Sequence, residues 1–134
     1  MSRRLATVCL HWTNLVLLLM LLAAGGENAP LAWAFSIGGM GMVVLAIVGG
    51  IMNGPGPKLK GVLRTAHPWL SRLMYLLLAW ASIATLSAQL HVPVPGPDAR
   101  QVLLTLLAAS LLHGCFHMWR ASALNDGALR RMLP

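Results

Sequence analysis

The chain has 134 residues, enough for one domain, with 57% hydrophobic residues, 10% charged residues and a formal net charge of +7. So few charges cannot cover a water-soluble globule, in which about a quarter of the residues are usually charged. The basic excess does not point to nucleic acid either, because the Lys and Arg residues flank apolar runs and form no separate polar face.

A membrane-crossing helix needs about 20 mostly apolar residues, and four runs qualify. The first, roughly Leu5 to Ala24, is dense in Leu and carries His11 and Trp12. It opens on Arg3 and Arg4, as a cleavable leader would, but the His-Trp pair inside it and three further runs behind it favour a permanent span. The segment from Gly25 to Pro30 ends it. The second run, roughly Leu31 to Met52, contains Gly38, Gly39, Gly41, Gly49 and Gly50. Small residues let helix backbones approach closely in lipid; a flat cofactor pressed on a glycine face is the sharper alternative. Stoppers from Asn53 to Pro57 precede the third run, roughly Pro68 to Leu90, with His67 at its opening. Pro93, Pro95, Gly96 and Pro97 lead to the fourth, roughly Arg100 to Ala121, which holds His113 and His117. The expected fold is an all-α membrane protein, a single four-helix transmembrane bundle over residues 1–134.

With four spans, nine of the ten basic residues fall on one side: Arg3, Arg4, Lys58, Lys60, Arg64, Arg72, Arg120, Arg130 and Arg131. Arg100 falls on the other, with Glu27 and Asp98. The positive-inside rule then puts both termini in the cytoplasm. An odd number of spans would scatter these charges over both sides. Cys9 and Cys115 sit inside apolar runs and are expected to be small buried packing groups rather than a disulfide. No C-x-x-C-H run offers covalent attachment of a haem.

An ionisable residue inside a span is expensive and points to function. His11 and His113 each lie about two turns from the cytoplasmic end of their helix, a depth of roughly 10 Å. Two neutral imidazoles at matched depth can clamp one haem iron from opposite sides; an interhelical hydrogen bond is the plainer alternative. His117 follows His113 by one turn, so both point the same way. It is either the ligand in place of His113 or a neighbour of a haem propionate. His67 suits an interfacial position, or contact with a propionate or a quinone oxygen. His91 lies among prolines and is expected in a loop.

The chain resembles the bacterial four-helix cytochrome b561 family along nearly its whole length. Leu10, His11 and Trp12 look like the I-H-W signature of the family's first helix. Thr65, Ala66 and His67, leading into Leu73 to Leu78, look like the A-H opening of its third. Leu112 and His113, followed by the tail from Asn125 to Pro134, resemble its last helix and C-terminus. Counting back from that tail without gaps puts the family's helix-four ligand on His113. Family members carry two haems, and the second uses histidines early in helices two and four. Here those stretches run from Ala32 to Gly38 and from Arg100 to Thr105 and contain no histidine. Met40 and His91 are poor substitutes. The resemblance therefore implies one haem b per chain on the cytoplasmic side, with the outer site lost. Superoxide oxidation at the outer face, known in some members, is not expected here.

The leading expectation is a cytochrome of the bacterial inner membrane. It would carry electrons through a haem on His11 and His113, with His67 and His117 beside it, to or from quinone or a partner redox protein. The alternative is a small accessory subunit of a larger respiratory or photosynthetic membrane complex, or a homodimer, with a vestigial haem or none. A channel or transporter ranks last, because the spans hold no acidic residue and no inverted repeat is visible.

Overall fold

A computed structural model describes residues 2–25, 28–51, 58–127 and 130. Four helices make up the chain: α1 (Arg3–Ala23), α2 (Ala29–Gly49), α3 (Gly61–Gln89) and α4 (Ala99–Ala123). All four are long and apolar enough to cross a bilayer, so the protein is a multi-pass, all-α membrane bundle. The stoppers Gly26, Glu27 and Asn53 to Pro57, the expected end of the second run at Met52, and most of the C-terminal tail motif (Ala128, Leu129, Arg131 to Pro134) lie outside the described residues.

Local chemistry sets the helix starts. The Ser2 hydroxyl accepts from the Leu5 amide at 3.3 Å, the Asn28 side chain from Leu31 at 3.2 Å, and the Asp98 carboxylate from Gln101 at 2.8 Å. Each satisfies an amide that the first turn leaves without a helical partner, and such a cap is worth about 1 kcal/mol. Gly50 ends α2 at φ +77, a conformation that a side chain would strain.

The helix bounds differ from expectation most at α3. It begins at Gly61, not at Pro68, and runs for 29 residues with Pro68 inside it. A proline removes one helical donor and crowds the preceding turn, but in membrane helices neighbouring groups tolerate the loss. His67 therefore lies inside the helix and is buried, rather than opening it at the interface.

Helices adjacent in sequence pack against each other, and α1 with α4 closes the ring as the loosest of the four seams. Cross-helix contacts fix an antiparallel register. Arg3 lies against Gly49 and donates to the Gly50 carbonyl, and Asn14 lies against Gly38. As one residue number rises, the other falls. Gly39 faces Ser82, and the Ser36 hydroxyl donates to the Ser82 carbonyl at 3.1 Å. The glycines of α2 thus serve close packing: Gly38 admits α1 and Gly39 admits α3, whereas Gly41 faces open space. Leu18, Leu21, Phe35, Leu78, Ala81, Leu103 and Leu106 form the core. Outward-facing apolar side chains such as Ile47, Val48 and Leu112 meet lipid, where their exposure carries no penalty. Cys9 and Cys115 are free thiols, as expected, but they are exposed on this outer surface instead of buried.

Candidate functional site

The buried titratable side chains His67, His117 and Arg120 lie at the end of the bundle that holds the start of α1, the end of α2, the start of α3 and the segment after α4. On α4, His113, His117 and Arg120 fall at i, i+4 and i+7 and share one face. On α3, His67 and Ser71 share the face turned toward α4. On α1, His11 and Asn14 share a face with the core residues Leu18 and Leu21.

Closest to the helix ends is an ion pair. Arg120 and Asp126 have side chains only 2% and 0% exposed, and their nearest atoms are 2.6 Å apart. The guanidinium Nε also donates to the same carboxylate oxygen at 2.7 Å, so two guanidinium nitrogens share Oδ2 of Asp126. Arg120 Nη1 lies 2.8 Å from His67 Nε2. A guanidinium can only donate, so His67 Nε2 accepts and the ring's proton sits on Nδ1. Asp126 reaches this place because the chain turns back after α4: Asn125 has φ +46, and its carbonyl accepts from Lys58 Nζ at 2.9 Å.

One layer deeper are the imidazoles. The His67 and His117 rings are 6.2 Å apart between α3 and α4, and His113 and His117 are 4.4 Å apart, edge to face. His117 is only 4% exposed, and neither of its ring nitrogens has a partner among the described residues. His113 is half-buried and its Nδ1 is likewise unpartnered. His11 is half-buried on α1, with its ring 5.8 Å from Trp12. The Asn14 side chain, 5% exposed, also has no hydrogen-bond partner for its oxygen or its nitrogen among the described residues.

The four inner histidines thus gather at one end of the bundle, whereas His91 sits at the other end in an exposed turn with φ +53. His67 is neither interfacial nor free at Nε2, which Arg120 occupies. No group of three or more His, Cys, Asp or Glu residues suited to a metal ion occurs among the described residues. A pair of axial imidazoles is a different donor set: two nitrogens from opposite sides, with a macrocycle supplying the rest. The residues fit that set. His11 and His113 belong to the two helices of the least tightly packed seam, and Nδ1 of His113 has no hydrogen-bond partner among the described residues.

Two parts of the site were not drawn from the sequence. Arg120 counts among the flanking charges, yet its spacing from His113 and His117 places it on their face. Asn14 follows His11 by three residues and shares its face by the same rule. Comparison with protein-family models, curated proteins and solved structures finds no match.

Proposed function

We propose that the protein is a membrane b-type cytochrome that carries electrons through one haem held by His11 and His113 between α1 and α4. The observation that carries this reading is the set of buried imidazole nitrogens on α4, of His113 and His117, that have no partner among the described residues. In a membrane interior, buried polar groups without partners are costly and mark a function. A haem bound there supplies one-electron redox chemistry, with quinone or a redox protein as the exchange partner.

The chain's own residues divide the work. His11 and His113 are the ligands. His117, one turn nearer the helix end, has no partner for either ring nitrogen among the described residues, and its ring N–H can donate a hydrogen bond to an acidic substituent. Arg120 holds His67 in a single tautomer, and that pair closes the floor of the site. The basic end is the cytoplasmic one by the positive-inside rule, in a bacterial inner membrane.

The test is a reduced-minus-oxidised spectrum with haem quantified per chain, followed by paramagnetic resonance of four variants. One acid-extractable haem b per chain is expected. His11→Ala and His113→Ala should lose the low-spin signal, whereas His117→Ala and His67→Ala should keep it. Loss in His117→Ala with retention in His113→Ala would move the ligand to His117. A well-folded preparation without haem would leave the accessory-subunit reading in its place.

A further inference from the structure

The connection from α3 to α4 does not stand away from the end of the bundle. At its start the His91 amide donates to the Ala88 carbonyl at 3.3 Å and the Val92 amide to the Ser87 carbonyl at 3.0 Å. With His91 at φ +53, this is the paired-bond turn that ends many helices and redirects the chain. Residues 92–97 then come back beside α3. Gly96, at φ +124, lies so near the Trp80 ring that a methyl group on it would come within 2.9 Å of Cζ2. Trp80 stands nine residues before Gln89, the last residue of α3, which is about 13 Å of helix rise and more than an indole spans. It belongs to the outward stripe of α3 with Leu76 and Ile83; Leu76, Trp80 and Ile83 are 67%, 40% and 45% exposed. The loop therefore lies against a face that the bundle turns to lipid, back from the end of its own helix.

Its composition suits that place. No Lys, Arg, Asp or Glu occurs from Leu73 to Pro97, and Val92 and Val94 are exposed. Irregular backbone against lipid is costly, because its N–H and C=O groups find no partners there. Here Pro93, Pro95 and Pro97 have no N–H to satisfy, and those of His91 and Val92 are bonded. From His91 to Pro97, only the amides of Val94 and Gly96 are left without a backbone partner among the described residues. The loop's carbonyls still need donors, which acyl chains lack and water supplies. The depth that meets both demands is the boundary between acyl chains and headgroups. Charge returns directly after the loop, at the exposed Asp98 and Arg100.

We propose that residues 92–97 are a lipid-contacting surface, seated at the boundary between acyl chains and headgroups in the leaflet opposite the basic end. Val92 and Val94 meet the upper part of the acyl chains, and the Gly96–Trp80 contact holds the loop down. Lipid is the partner selected because the loop rests on a lipid-facing stripe, offers no charge to a polar surface and has shed most of its backbone donors. At this end the bundle thus presents lipid-seated backbone where a projecting polar loop would otherwise stand.

The experiment uses the full chain with Cys9→Ala and Cys115→Ala, reconstituted in vesicles of phosphatidylcholine and phosphatidylglycerol. A single new cysteine, at Val94→Cys, Ile83→Cys or Arg130→Cys in turn, carries an environment-sensitive fluorophore. Its quenching is read with iodide in the water and with spin labels near the top of the lipid chains. Iodide should quench the Val94→Cys label severalfold less than the Arg130→Cys label. The lipid spin label should quench it severalfold more, approaching the lipid-facing Ile83→Cys. Adding Gly96→Val forces the loop off Trp80 and should move the Val94→Cys label into water with helicity unchanged. That variant also separates the loop's placement from the label's own affinity for lipid. Iodide quenching at Val94→Cys equal to that at Arg130→Cys overturns the proposal. So does shielding that Gly96→Val leaves unchanged. Shielding that disappears when chains are diluted to one per vesicle overturns it too, because a second copy then covers the loop. No readout here involves haem, so failure is separable from failure of the cytochrome reading.

Discussion

Arg120 shows how much one residue's environment can demand. Its guanidinium is buried, and Asp126 neutralises it. Removing one partner of a buried ion pair typically costs about 3–5 kcal/mol, whereas replacing both with apolar groups is often neutral. Asp126→Asn should therefore lower stability by about 3 kcal/mol, read as an earlier midpoint in detergent unfolding. The double variant Arg120→Met with Asp126→Leu should recover most of it. Equal stability of Asp126→Asn and wild type would show that the pair is not closed in the membrane. Asn14 gives the opposite expectation. Its amide is buried without a partner, so Asn14→Leu, similar in shape, should match or exceed wild-type stability. A loss would reveal a bound group at that level. The candidate site was partly legible at this scale: His11, His113 and His117 stand out as ionisable residues in apolar runs. The Arg120–Asp126 pair was not legible as a pair, because it depends on a left-handed turn at Asn125 that hydropathy does not encode.

At the scale of helices, the glycines of α2 act by position. A methyl group on Gly39 would collide with the Ser82 hydroxyl, while one on Gly41 meets nothing within 4 Å. Gly39→Ala should cost about 1–3 kcal/mol through overpacking of the α2–α3 contact. Gly41→Ala should be neutral or stabilise by up to about 1 kcal/mol, because alanine loses less backbone freedom in a helix. Thermal unfolding in the same detergent compares the two, and equal effects would contradict the close approach of α2 and α3. The number, order and approximate extent of the helices follow from the lengths of the apolar runs, and the glycines' packing role from their composition. The start of α3 does not. Pro68 reads as a boundary because the residue before a proline disfavours helix. The helix nevertheless continues back to Gly61, carrying His67 into a buried position against Arg120.

For the whole molecule, the contacts of Arg3 with Gly50 and of Lys58 with Asn125 bring the start of α1, the end of α2, Lys58 and the segment just after α4 to one end of the bundle. Trp12, Trp69 and Trp119 are 43%, 65% and 42% exposed in that half, and Arg72 stacks on Trp69 with its guanidinium carbon 4.7 Å from the ring centroid. Such amphipathic rings favour the boundary between lipid tails and headgroups and fix how deeply a bundle sits. Reporter fusions at either terminus should both report the cytoplasm. A periplasmic signal from either would reverse the side assigned to the haem.

The fold-back after α4 also bears on how the protein is made. Asp126 is synthesised after Arg120, and only once the chain has passed Asn125 can the carboxylate turn back to meet it. Without that turn the inward face of α4 would carry a buried cation with no neutralising carboxylate among the described residues. Completion of the bundle is thus tied to the arrival of a few residues beyond the final helix. A variant ending at Leu124 would keep all four helices and leave that charge without its counterpart, so it should be less stable than the full chain.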